Sequence, residues 1–161
     1  MNLDHIAIAT RNLDQGAAAL KRLGFRLTPR SHHSGSVTPG GPVVKWGSAN
    51  ECAMLRRGYV EMLGLTDPSL HSSAKALLAR YEGTHIVAFG CKSAEETHPQ
   101  FQARGAKVNA PIRLERKVPF GPEGKEERTA RFLNMYADPA MYPEAKFIVI
   151  EHVTPEVLWQ E

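Results

Sequence analysis

Two histidines and two glutamates recur at matching places in the sequence and could together bind a metal ion. His5 and His85 each lie in a short apolar run, 80 residues apart, and Glu61 and Glu151 each lie in a later apolar run, 90 residues apart. An unpaired carboxylate is costly to bury, so a glutamate on an apolar strand indicates a specific use. Two imidazoles and two carboxylates that converge form a ligand set for a divalent first-row metal, and zinc, nickel, manganese and iron all fit.

The elements that would position these residues occur twice in the chain. Residues 3–9 form a run rich in branched apolar residues, as in a buried strand, and a helical pattern follows that ends before Gly24. Residues 83–90 repeat the strand pattern, and a second helical pattern ends before Gly105, 81 residues after the first stop glycine. The sequence therefore predicts a tandem duplication in which each copy contains a strand, a helix and several further strands.

The helix and loop boundaries follow from capping and turn residues. Asn12 is the expected N-cap of the first helix, and Ser93 with Glu96 forms a capping box for the second. Further short strands are predicted at 25–27 and 106–108, a connector helix at 72–80, and long loops at 28–42 and 117–127.

Composition excludes several classes of protein. The 161 residues are 42% hydrophobic and 23% charged, as in globular domains, and no apolar run approaches the roughly 20 residues of a membrane span. Cys52 and Cys91 form no disulfide or zinc pattern, and we expect a cytoplasmic protein. The net charge of +3 is spread along the chain, which argues against nucleic acid and is compatible with an anionic small molecule.

The order of the motifs resembles that of a known superfamily. The segments LDHIAIATRNLD, GYVEMLGL, THIVAFG and FIVIEHVTPEVLW are similar to those of the vicinal oxygen chelate proteins, and most similar to their glyoxalase-like subgroup. The superfamily includes glyoxalase I, methylmalonyl-CoA epimerase, ring-cleavage dioxygenases and drug-resistance proteins.

This resemblance implies an α+β fold. Two βαβββ modules would form a curved mixed sheet around a cup-shaped site, with the first module at 1–65, a connector helix at 66–82 and the second module at 83–161, all within one compact domain. It also implies that His5, Glu61, His85 and Glu151 bind the metal.

Strand alternation leaves one ligand open. Glu151 and His152 are adjacent, so only one of them faces the cup. We prefer Glu151 because it matches the position of Glu61, and His152 takes its place if the register differs by one residue.

The predicted chemistry is that of an isomerase, epimerase or lyase. A substrate with two neighbouring oxygens would chelate the metal, and Glu61 or Glu151 would move a proton through an enediolate. One alternative is a binding protein that sequesters small molecules without turnover. Another is a ring-cleavage dioxygenase that uses His5, His85 and Glu151 as a facial triad, although Glu61 would crowd its iron.

Other residues are weaker candidates for substrate binding, and we expect the protein to form a homodimer. The candidates are Arg30, His32, His33, Trp46, Arg113, Arg116, Phe120 and His152.

Overall fold

The computed structural model of the chain describes residues 1–38, 41–121 and 124–159. In this part of the chain the regular elements are strands and short helices, and no helix is long and apolar enough to cross a membrane. The strands are β1 Asn2–Thr10, β2 Ser31–Ser36, β3 Val43–Met54, β4 Tyr59–Leu65, β5 Gly83–Gly90, β6 Ile112–Phe120, β7 Glu126–Tyr136 and β8 Lys146–His152. The α-helices are α1 Leu13–Arg22, α2 Ala74–Leu78 and α3 Ala94–Ala103, and a short 3₁₀ helix spans Pro155–Val157.

The element order confirms the predicted α+β fold with two βαβββ repeats, the first from β1 to β4 and the second from β5 to β8. By contacts, the chain divides into two compact units. One unit comprises residues 5–86, and the other comprises residues 1–4 together with 87–161. The predicted module boundaries at 65 and 83 remain a prediction.

The unit of residues 5–86 contains four neighbouring strands in the order β2-β3-β4-β1. β1 is parallel to β4, whereas β3 is antiparallel to both β2 and β4. Helix α1 covers one face of these strands, where Leu13 and Leu20 pack with Ala49 and Met62. This core leaves the opposite face of the same strands without contacts to α1.

Individual residues explain where helix α1 begins, how closely it packs on the strands and where it ends. The Asn12 side chain accepts a hydrogen bond from the Gln15 backbone N–H at 3.0 Å, which confirms the predicted N-cap. Gly64 permits the close approach, because a Cβ atom at this position would lie 2.6 Å from the Leu13 Cβ atom. The predicted stop residue Gly24 adopts φ +92°, a backbone conformation that favours glycine.

The second unit contains the antiparallel strands β6, β7 and β8 and the second half of β5. Helix α3 packs on Met135 and Val149, and the Ser93 side chain caps its N-terminus by accepting from the Glu96 N–H at 3.1 Å. The capping residue predicted for this helix is therefore also confirmed.

The connecting segments differ from their predictions. Strand β2 lies within the segment expected to be a loop, because it hydrogen-bonds to β3 despite its serine-rich sequence. Residues 25–27 form no strand, and residues 106–108 contribute a single bridge between Val108 and Ala137. The second predicted loop is largely the β6–β7 hairpin. The residues of these loops that lie outside the described ranges are Pro39, Gly40, Pro122 and Glu123.

Candidate functional site

The strand register of the 5–86 unit places several polar side chains on the face opposite α1. His5 is paired with Tyr59, and Ala7 with Glu61, so His5, Tyr59 and Glu61 share one face. On the neighbouring strand β3, Cys52 is paired with Glu61. We call this surface, with His5, Ser48, Asn50, Tyr59 and Glu61 as its polar members, the polar face.

Glu61 is held by an amide from the next strand. The Asn50 Nδ2 atom donates a hydrogen bond to Glu61 Oε1 at 2.5 Å, and Asn50 is buried while Glu61 is half-buried. This bond compensates part of the cost of placing a carboxylate among apolar strands. It also fixes the direction of the carboxylate while leaving its second oxygen for other contacts.

His5 is held by packing against an aromatic ring. Its imidazole stacks on Tyr59 with 4.3 Å between ring centroids and 13° between the planes, and His5 is buried. The register makes His5 and Glu61 diagonal neighbours on two parallel strands. At the other end of the polar face, His33 Nδ1 lies 3.0 Å from the hydroxyl of the fully buried Ser48.

The predicted ligand His85 lies in the interior of the first unit. It is only 1% exposed, its Nε2 atom lies 2.8 Å from the Tyr81 carbonyl oxygen, and its ring stacks on that of Tyr81 at 4.0 Å. The carbonyl can only accept, so Nε2 is the donor in this hydrogen bond. The Nδ1 atom of His85 is buried and has no hydrogen-bond partner among the residues that the structure describes.

The second-repeat glutamate lies on the helix-covered side of its own unit. Glu151 accepts a hydrogen bond from the Ala94 N–H at 2.7 Å, at the N-terminus of α3, where a carboxylate is favoured by the helix dipole. His152 therefore points to the opposite face, where its Nε2 atom lies 2.8 Å from Asp4 Oδ2. The choice between Glu151 and His152 as the residue that faces the cup stays a prediction.

The described residues do not fit the predicted four-ligand metal site. No group of three or more histidine, cysteine, aspartate or glutamate side chains in the described ranges could hold a metal ion. His5 and Glu61 share the polar face, but the Glu151 carboxylate caps a helix.

The weaker substrate-binding candidates are mostly engaged with neighbouring side chains. Arg30 bonds to Glu51 at 2.8 Å and to Asp14, and these two acids, Asp14 first, raise the pKa of its guanidinium. Trp46 donates to the Gly35 carbonyl oxygen at 3.0 Å. Two further contacts are cation–π pairs, in which Arg116 lies over the Phe132 ring and Phe120 lies under Arg128. His32 and Arg113 are exposed.

Sequence reasoning missed two features of these units. Asn50 was not proposed as a functional residue, because its segment Ala49–Met54 also contains Glu51 and shows no apolar run that would mark the asparagine as buried. The buried Asp4–His152 pair was also missed, because it joins residues 148 positions apart.

The fold and the polar face define an α+β protein built from two glyoxalase-type repeats. Residues 3–161 match the family described as Glyoxalase-like domain, and the chain belongs to that family. No curated protein sequence matches the chain.

Solved structures support the same fold at low sequence identity. A hypothetical protein from Bacillus halodurans is 22% identical over 93% of each chain, with a TM-score of 0.59. A methylmalonyl-CoA epimerase from Streptomyces coelicolor, in complex with 2-nitronate-propionyl-CoA, is 18% identical over 95% of this chain and 98% of that chain, with a TM-score of 0.59. The epimerase from Mycobacterium tuberculosis is 15% identical over 98% of this chain and 92% of that chain, with a TM-score of 0.60.

Proposed function

We propose that the chain is an isomerase that moves a proton on the carbon next to a carbonyl group, with Glu61 as the base. The observation that carries this proposal is the half-buried Glu61 carboxylate, held at 2.5 Å by the Asn50 amide on a face that also bears His5. Of the two glutamates expected to act as bases, Glu151 is engaged at the N-terminus of α3, which leaves Glu61.

A 1,2-shift of the proton requires a substrate with two neighbouring oxygens, such as a 2-hydroxyaldehyde or the thiol adduct of a 2-oxoaldehyde. Glu61 takes the C–H proton, the electrons of that bond form a carbon–carbon double bond, and the carbonyl electrons move onto oxygen to give an enediolate. Protonated Glu61 then returns the proton to the adjacent carbon, while the hydroxyl proton passes to the other oxygen. A single base can perform this 1,2-shift, whereas inversion at one carbon needs a second donor on the opposite face.

The negative oxygen of the enediolate needs a hydrogen-bond donor or a cation nearby. His5 is the donor that we assign to this role, because it lies on the same face and its ring is fixed by Tyr59. The divalent metal predicted from the sequence (zinc, nickel, manganese or iron) is a separate proposal, tested by metal analysis and by activity after chelation and re-addition of each ion.

Hydrogen–deuterium exchange at carbon tests the proposal directly. The protein is incubated in D2O with 2-hydroxyaldehydes, 2-oxoaldehyde–thiol adducts, branched acyl-CoA thioesters and catechols, and loss of the C–H signal is followed by proton NMR. The acyl-CoA thioesters are included because several structural neighbours are methylmalonyl-CoA epimerases. We expect exchange with at least one of the first three classes, and a loss of about 10²-fold or more in Glu61→Gln.

The control is Glu144→Gln, which removes an exposed carboxylate outside the polar face and should exchange at the wild-type rate. Wild-type exchange in Glu61→Gln would refute the assigned base. Saturable binding of these compounds without exchange would instead identify a binding protein, and oxygen-dependent consumption of catechols would identify a dioxygenase.

A further inference from the structure

A small apolar cavity lies beside α3 in the unit of residues 1–4 and 87–161. Its volume is about 200 Å³, and its lining consists of apolar side chains and aromatic rings. The principal lining residues are Met1, Phe89, Phe101, Tyr142, Phe147 and Val149. Water inside such a cavity would find few hydrogen-bond partners, so the cavity favours an apolar occupant.

The two repeats bury different side chains under their helices. The N-caps Asn12 and Ser93 are 81 residues apart, so Leu13 of α1 corresponds to Ala94 of α3. Helix α1 buries two leucines and an alanine, whereas Ala94 is the only buried residue of α3. The α3 residue that lines the cavity is Phe101, which corresponds to Leu20 of α1.

A larger cleft of about 630 Å³, with both polar and apolar lining residues, adjoins the apolar cavity. The two spaces share Ala106, Val108 and Ala137 as lining residues. The rest of the cleft lining contains residues with hydrogen-bonding groups. These groups belong to Gln102, Lys107, Asn109, Tyr136 and Asp138.

We infer that these adjoining spaces form a binding site for a small amphipathic molecule, distinct from the polar face. Its apolar part, a single aromatic ring or a short alkyl chain, occupies the cavity beside α3, and its polar group lies in the cleft. The sizes agree, because an engineered apolar cavity of about 150 Å³ binds benzene. An apolar pocket with a few polar groups at one end is the usual architecture of a small-molecule site.

Calorimetric titration with toluene and with 3-phenyl-1-propanol tests this inference. We expect saturable binding of both probes to the full chain, with the alcohol binding at least about threefold more tightly because its hydroxyl reaches the cleft. Val108→Phe and Ala137→Leu place extra volume in the shared wall and should each weaken binding about tenfold or more. The matched control Val37→Phe changes an exposed valine of the other unit and should leave both dissociation constants unchanged.

Thermal unfolding of each variant separates a blocked site from a misfolded one. A variant that binds weakly while retaining the wild-type unfolding temperature supports the site. Absence of saturable binding to the wild type would overturn the inference, as would unchanged affinity in both blocking variants when they are folded. Equal affinity for the two probes would overturn the assignment of the cleft to the polar group. These readouts do not depend on proton exchange by Glu61, so the two proposals fail independently.

Discussion

At the scale of single residues, the environment of Glu61 is more specific than that of the other predicted ligands. Its carboxylate receives an amide hydrogen bond from a buried asparagine and shares a face with a stacked histidine. By contrast, Glu151 accepts a hydrogen bond from the Ala94 N–H at the N-terminus of α3, and His85 bonds to the main-chain carbonyl oxygen of Tyr81. Residue type alone made these positions look equivalent, and their hydrogen-bond partners distinguish them.

Asn50→Asp should change the pH dependence of proton exchange. The substitution places a second carboxylate within hydrogen-bond distance of Glu61, and two adjacent carboxylates raise the pKa of one of the pair. The deprotonated base then predominates only at higher pH, so the acidic limb of the rate profile should move to higher pH. Exchange rates measured by proton NMR across the pH range check this result. An unshifted profile would show that residue 50 does not influence the base.

Cys91 should react slowly with iodoacetamide in the folded protein. Burial, followed by the charge of Glu151, raises the pKa of the Cys91 thiol, so little thiolate is present at neutral pH. Glu151→Gln removes the negative charge near the Cys91 thiol and should increase its alkylation rate, as measured by peptide mass spectrometry. A rate equal to that of the urea-unfolded chain would contradict the assigned environment.

At the scale of elements, the helix N-termini are stabilised by different means in the two repeats. Helix α1 uses the Asn12 side chain, whereas α3 uses Ser93 and, in addition, the Glu151 carboxylate of β8. This second contact ties α3 to the last strand of its unit. Glu151 therefore stabilises the N-terminus of α3.

Glu151→Ala should lower the free energy of unfolding by about 1–3 kcal/mol, because the charged hydrogen bond to the Ala94 N–H is lost. Urea denaturation followed by circular dichroism measures this change, and Glu144→Ala is the matched control on an exposed glutamate. If Glu151 instead binds a metal, the variant would lose bound metal, and its free energy of unfolding would equal that of the metal-free wild type.

At the scale of the whole chain, hydrogen bonds connect the beginning and the end of the 5–86 unit. Arg11, just after β1, bonds to Glu82 at 2.9 Å and to the Leu78 carbonyl oxygen at 2.7 Å, and Thr10 also donates to Glu82. Arg11 and then Thr10 lower the pKa of Glu82. A carboxylate whose pKa is lower in the folded state stabilises the fold above its unfolded pKa, and this stabilisation is lost as the pH falls through its folded pKa.

The difference in stability between the wild type and Arg11→Ala should therefore be larger at about pH 7 than at about pH 3, since an unperturbed glutamate titrates near 4.3. Urea unfolding at both pH values checks this expectation. Arg57→Ala removes an exposed arginine and should show no such pH dependence. An equal difference at the two pH values would show that the Arg11–Glu82 pair does not contribute.

The expected homodimer stays a prediction at this scale. Light scattering coupled to size-exclusion chromatography should give twice the chain mass of 17.8 kDa. A mass equal to that of one chain would contradict it.

Much of the fold followed from local signals. Asn12 and Ser93 cap their helices where the sequence placed them, and the strand predicted at 83–90 has those bounds in the structure. Strand β2 was missed because it is serine- and histidine-rich, and its pairing with β3 supplies the stability that its own sequence lacks. The buried Asp4–His152 pair was unpredictable for a related reason, since it depends on contact between opposite ends of the chain.

The sequence by itself determined the duplication, the helix boundaries and the residue types available for chemistry, because caps, stop glycines and apolar runs act over a few neighbouring residues. Only the tertiary structure decided which face each polar side chain occupies. Alternation along a strand puts Glu151 and His152 on opposite faces, but it does not say which face a helix covers. Packing of α3 on Met135 and Val149 settles that question and directs Glu151 to the helix and His152 away from it.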